Sequence, residues 1–75
     1  MSNYRIPLAE NEEHDAIDFI REVKHSCLYI EASIAWTNIR IEVSEEGLAD
    51  VVEAYNHWFA VTLTEDLFKE LYSVT

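Results

Sequence analysis

Between Leu28 and Ser44 apolar residues fall on every second position, and no other feature restricts the fold as much. Leu28, Ile30, Ala32, Ile34 and Trp36 point to one side of an extended chain, and Tyr29, Glu31, Ser33, Ala35 and Thr37 to the other. Ile39, Ile41 and Val43 then alternate with Arg40, Glu42 and Ser44. This pattern predicts a hairpin with strands at about 28–36 and 39–44. A turn at Thr37-Asn38 sets Trp36 against Ile39, Ile34 against Ile41 and Ala32 against Val43, so that every pair on one face is apolar. Thr-Asn lacks the glycine that a two-residue type I′ turn prefers, which leaves a longer loop or a bulge as the alternative.

The flanking segments change period. Tyr4, Ile6 and Leu8 alternate, but Pro7 has no N–H for a ladder, so a short edge strand is expected there. From Asn11 or Glu12 to about His25 the spacing becomes helical, with Ala16, Phe19, Ile20, Val23 and Cys27 on one face and Asn11 as the N-cap. Ser44 precedes Glu45 and Glu46 as a second N-cap, and Leu48, Val51, Val52, Tyr55, Trp58 and Phe59 form the apolar arc of a helix from about Glu45 to Trp58. Val61 and Leu63 alternate with Thr62 and Thr64, an extended connection or a short strand. Thr64 then caps a last helix with Leu67, Phe68, Leu71 and Tyr72 as its apolar stripe. The order β-α-β-β-α-(β)-α predicts an α+β fold: a small antiparallel sheet covered on one face by two to three amphipathic helices. Trp36, Trp58, Phe59 and Tyr55 all fall on faces assigned to the core. At 75 residues, a second core would leave each half too short to fold unaided, so 1–75 is read as a single domain.

Charge sets the functional reading. Fifteen Asp and Glu against five Lys and Arg give a net charge of −10. Arg5, Arg21, Lys24, Arg40 and Lys69 are scattered singly among acids, which argues against direct nucleic-acid binding. No apolar run approaches the about 20 residues that span a bilayer, and an anionic leaflet would repel the chain, so a cytoplasmic protein without a membrane partner is expected. For a viral protein this means the host cytoplasm.

No catalytic constellation stands out. Cys27 falls on the inward helix face, where burial makes a thiol inert, and Gly47 as the lone glycine leaves no phosphate-cradling loop. His14 with Asp18, and Glu53 with His57, each offer two metal ligands one turn apart, but neither pair has an evident third. The expectation is a non-enzyme with no catalytic residue, no metal and no cofactor.

The helix faces opposite the core carry Asp15, Asp18 and Glu22 on the first helix and Glu46, Asp50 and Glu53 on the second. Like charges at i, i+3 and i+4 each cost a helix about 0.2 to 0.5 kcal/mol, where Lys or Arg would have relieved them. Carboxylates one turn, about 5.4 Å, apart approach the charge density of a nucleic-acid strand and suit a basic groove built for DNA or RNA. Tyr29 and Glu31, on the outer face of the first hairpin strand, complete the candidate partner-binding set. In size and acidity, though not in any motif, the chain resembles phage-encoded anti-defence proteins such as anti-CRISPR proteins and restriction inhibitors. That resemblance implies an inhibitor whose carboxylates replace phosphates on a basic, nucleic-acid-binding partner. The alternative is a non-catalytic adaptor or structural module that self-associates as a homodimer through an uncovered sheet face or edge, with acidity serving solubility.

Overall fold

A computed structural model describes residues 2–26 and 30–74. The chain forms β1 (Ser2–Pro7), a 3-10 turn (Glu10–Glu12), α1 (Glu13–Ser26), β2 (Ile30–Ala35), β3 (Asn38–Val43), α2 (Glu45–Phe59) and α3 (Glu65–Tyr72). The three strands make one antiparallel sheet in the order β1-β3-β2. This is the α+β arrangement that the alternating and helical periods predict.

One face of the sheet carries Tyr4, Ile6, Ile30, Ala32, Ile34, Ile39, Ile41 and Val43, and the core lies between it and the helices. Ala16, Phe19 and Val23 of α1, Leu48, Val51, Val52, Ala54 and Tyr55 of α2, and Phe68 of α3 close it. Phe19 meets Tyr55 edge-on at 5.8 Å and Phe59 at 5.9 Å, which ties α1 to α2. Phe68 lies 5.4 Å from Tyr4 and 5.6 Å from Tyr55, and so joins α3 to both sheet and helix layer. Burial, aided by the Tyr72 hydroxyl 3.1 Å away, holds the Tyr55 phenol above its ordinary pKa, so this contact stays neutral.

Local chemistry fixes the helix ends. The Ser44 hydroxyl accepts from the Gly47 N–H at 3.3 Å, and the Thr64 hydroxyl from the Leu67 N–H at 3.2 Å, both as expected of N-caps. Asn11 does not cap α1. It lies inside the 3-10 turn, where the Glu12 carboxylate instead reaches back to accept from the Ala9 N–H at 3.0 Å. The segment 61–64 is not a strand: the Asn56 side-chain amide donates to the Leu63 carbonyl at 2.9 Å and accepts from the Leu63 N–H at 3.0 Å. Both backbone groups of Leu63 are thus satisfied by one side chain. The α3 stripe is narrower than its spacing implies, since Phe68 is fully buried whereas Leu67 and Leu71 are exposed, Leu71 by 56%.

The hairpin register differs from the expectation by two residues. Ile34 pairs with Ile39, Ala32 with Ile41 and Ile30 with Val43, and the turn is Trp36-Thr37. Because Ser44 must cap α2, β3 ends at Val43, and the observed register is the one that gives Ile30 an apolar partner before that stop. A shift of two keeps every side chain on its face, so the core composition survives. Trp36 does not. It leaves the core for the tip of the hairpin, where it is 97% exposed with φ at 58°. Positive φ at the first central residue alone is the pattern of a type II′ turn, which favours glycine there.

Ala60, the C-terminal cap of α2, is also left-handed, with φ at 54°. Its N–H donates to the Asn56 carbonyl. Replacing Trp36 or Ala60 by Gly relieves a Cβ clash of about 1 to 2 kcal/mol against a smaller loss through unfolded-state entropy. Each substitution is expected to stabilise the fold by about 0.5 to 1 kcal/mol, measured as a higher urea midpoint at unchanged slope. A lowered midpoint for Trp36→Gly would mean the indole makes contacts that its exposure denies.

Candidate functional site

The packing of α1 on α2 brings three of the candidate acids together. Glu22, Ser26, Asp50, Glu53, Ala54 and His57 line a groove of about 300 Å³ between the two helices. Its lining holds three carboxylates and no Lys or Arg. Asp50 and Glu53 stand one turn apart on the exposed side of α2. Glu22 is held in place, since its Oε2 accepts from the Trp58 indole N–H at 3.1 Å. Trp58 is half-buried, and its ring meets the His57 ring edge-on at 5.1 Å. The aromatic pair therefore forms one end of an otherwise acidic surface.

The other candidate residues are dispersed. Asp15 and Asp18 lie earlier on α1, half-buried and outside the groove lining, and Glu46 is exposed one turn before Asp50. Glu31 is on the far side of the sheet from the helices, and Tyr29 lies outside the described residues, as do Cys27 and Leu28. The seven described residues of the partner-binding set thus divide between two faces, the acids of the helices on one and Glu31 on the other. Ser26 joins the groove without having been singled out from the sequence, because the α1–α2 crossing that brings it there is a tertiary fact, and His57, read there only as one of a pair of possible metal ligands with Glu53, lines the groove as well.

Among the described residues no helix covers the outer sheet face. Asn3, Arg5 and Pro7 of β1, Asn38, Arg40 and Glu42 of β3, and Glu31, Ser33 and Ala35 of β2 share it by register. Two rows stand out: Arg5 faces Arg40, which faces Ser33, and next to them Asn3 faces Glu42, which faces Glu31. A shallow depression of about 380 Å³ lies over these rows. Among the described residues the one ion pair is Lys69 to Glu45, at 3.5 Å and exposed, so neither arginine of this face has a carboxylate within 4 Å.

Among the described residues no group of three His, Cys, Asp or Glu side chains is placed to hold a metal, and no helix is long and apolar enough to cross a membrane. Comparison of the chain with protein-family models, curated proteins and solved structures finds no match.

Proposed function

We propose that the protein is a non-enzymatic, acidic binding protein that occupies a basic, nucleic-acid-binding surface of another protein, with Glu22, Asp50 and Glu53 standing in for phosphates. The observation that supports this reading is the convergence of those three carboxylates, from two helices, on one groove without a compensating Lys or Arg. Carboxylates gathered this way repel one another in the free protein, and a cationic partner relieves that repulsion. Arginine is the natural partner because its planar fork grips a carboxylate as it grips a phosphate. Asp15, Asp18 and Glu46 extend the negative surface along both helices and steer a basic partner toward the groove. An inhibitor of a phage-encoded anti-defence type, acting in the cytoplasm, would use such a surface.

Two measurements test it. The isolated protein should show no saturable binding to labelled duplex or single-stranded oligonucleotides at physiological salt, because a net −10 offers no counterion release. Immobilised protein should retain basic nucleic-acid-binding proteins at about 0.05 M salt and lose them at about 0.2 M or on adding excess duplex oligonucleotide. Captured proteins that stay bound against excess oligonucleotide would sink the phosphate-mimic reading.

A further inference from the structure

We propose that the outer face of the sheet is an isologous interface for a second copy of this chain. Unlike the rest of the molecule, this face carries no net charge. Its two arginines and two glutamates cancel, so the whole net −10 resides elsewhere in the chain. Within one copy the arrangement is unfavourable: Arg5 stands directly opposite Arg40, and Glu31 directly opposite Glu42, where like charges across strands destabilise a sheet. Neither arginine is relieved by an ion pair among the described residues.

A two-fold axis relieves both rows at once. When two such sheets stack with their strands antiparallel, about an axis that runs between the arginine row and the glutamate row, each row lies over its opposite in the other copy. Arg40 then meets Glu42 of the second copy and Glu42 meets its Arg40, the reciprocity that an isologous contact requires. Arg5 reaches the same glutamate from the neighbouring strand, about 4.8 Å to the side. An axis along the strands would instead lay arginine on arginine, so the charge pattern selects one orientation. Ser33, Ala35 and Asn38 are short enough to let the sheets approach. The helix layers lie behind the sheets on the two outer sides, farther apart than the Debye length of about 8 Å at physiological salt, so their mutual repulsion is largely screened.

Three strands of six residues present a face of roughly 14 by 20 Å, well under the about 800 Å² per partner of a standard stable interface. The dimer is therefore weak and concentration-dependent. It leaves both acidic grooves facing outward, and it stands whether or not those grooves bind a nucleic-acid-binding partner.

Sedimentation velocity up to about 1 mM protein, at about 0.15 M salt, reads the assembly directly. The wild type should move from monomer toward dimer. Arg40→Glu alone and Glu42→Arg alone should each weaken association at least about tenfold, since each lays like charges on one another across the axis. The two changes together in one chain exchange the central charges and should recover association relative to either single variant, short of the wild type because Arg5 then lies beside an arginine of the second copy, and an equimolar mixture of the two single variants should associate where neither does alone. Melting curves establish that each variant is folded. A wild type that stays monomeric at the highest concentration, or a dimer indifferent to these charges, as pairing through the β2 edge would be, overturns the proposal.

Discussion

Phe68→Ala should remove about 3 to 5 kcal/mol of stability, the usual cost of deleting a fully buried phenylalanine. For a chain of this length the total is about 4 to 11 kcal/mol, so the variant loses a third or more of its stability and, at the low end of that range, sits at its unfolding midpoint at 25 °C. The size of the effect follows from what the ring holds. α3 has eight residues, too few to persist as a helix without docking, and Phe68 is its one fully buried side chain. Its ring touches Tyr4 of β1, Tyr55 of α2 and Tyr72 of its own helix. Losing it also frees the segment that guards the edge of the sheet, where Ser73 bridges to Tyr4 and the Val74 N–H donates to the Asn3 carbonyl at 2.9 Å. Leu71→Ala supplies the contrast: the same stripe and the same helix, but an exposed side chain, with an expected change within about 0.5 kcal/mol. Urea melts followed by far-ultraviolet circular dichroism measure both. Equal losses for the two variants would mean that α3 docks along its whole stripe and not through one ring.

That contrast shows where sequence reading stops. Periodicity assigns Leu67, Phe68, Leu71 and Tyr72 to one stripe with equal weight, because a helical wheel records direction and not what stands opposite. The hairpin shows the same limit. Its faces were legible, since a register slip of two residues leaves the inward set unchanged, but its turn was not. Neither Trp36-Thr37 nor Thr37-Asn38 contains the glycine that would have marked it, and the choice depended on where Ser44 stops β3. Trp36 was misread as core for that reason alone. The connection 61–64 looked strand-like because its alternation is real, yet the side chain that occupies its hydrogen bonds, Asn56, is seven residues away in sequence on another element. The acidic character of the surface was plain from composition. The outward position of Glu31, on the sheet face away from the helices, was legible too, but which helix acids meet was not, since Glu22 joins Asp50 and Glu53 only through the α1–α2 crossing.

Neutralising the groove should abolish partner binding without harming the fold. In the variant Glu22→Gln, Asp50→Asn, Glu53→Gln each side chain keeps its length and polarity, and Gln at position 22 retains an oxygen to accept from the Trp58 indole. Stability should hold or rise slightly, because each like-charge pair removed returns about 0.2 to 0.5 kcal/mol. Binding is another matter. A charge-assisted contact that is desolvated on binding contributes about 1 to 3 kcal/mol, so losing three weakens a partner by about thirtyfold or more even when one of them lies at a wet rim. Net charge alone would act differently: Asp66→Asn with Glu70→Gln removes exposed acids from α3, outside the groove, and should slow association only a few-fold through weaker steering. Asp15→Asn with Asp18→Asn falls between them, as these residues flank the groove without lining it. Titration of a basic partner against all three variants, by calorimetry at fixed salt, measures the order. If the α3 variant loses as much affinity as the groove variant, overall charge drives the interaction and the groove has no special role; if none loses affinity, the acidic helices are outside the interface altogether.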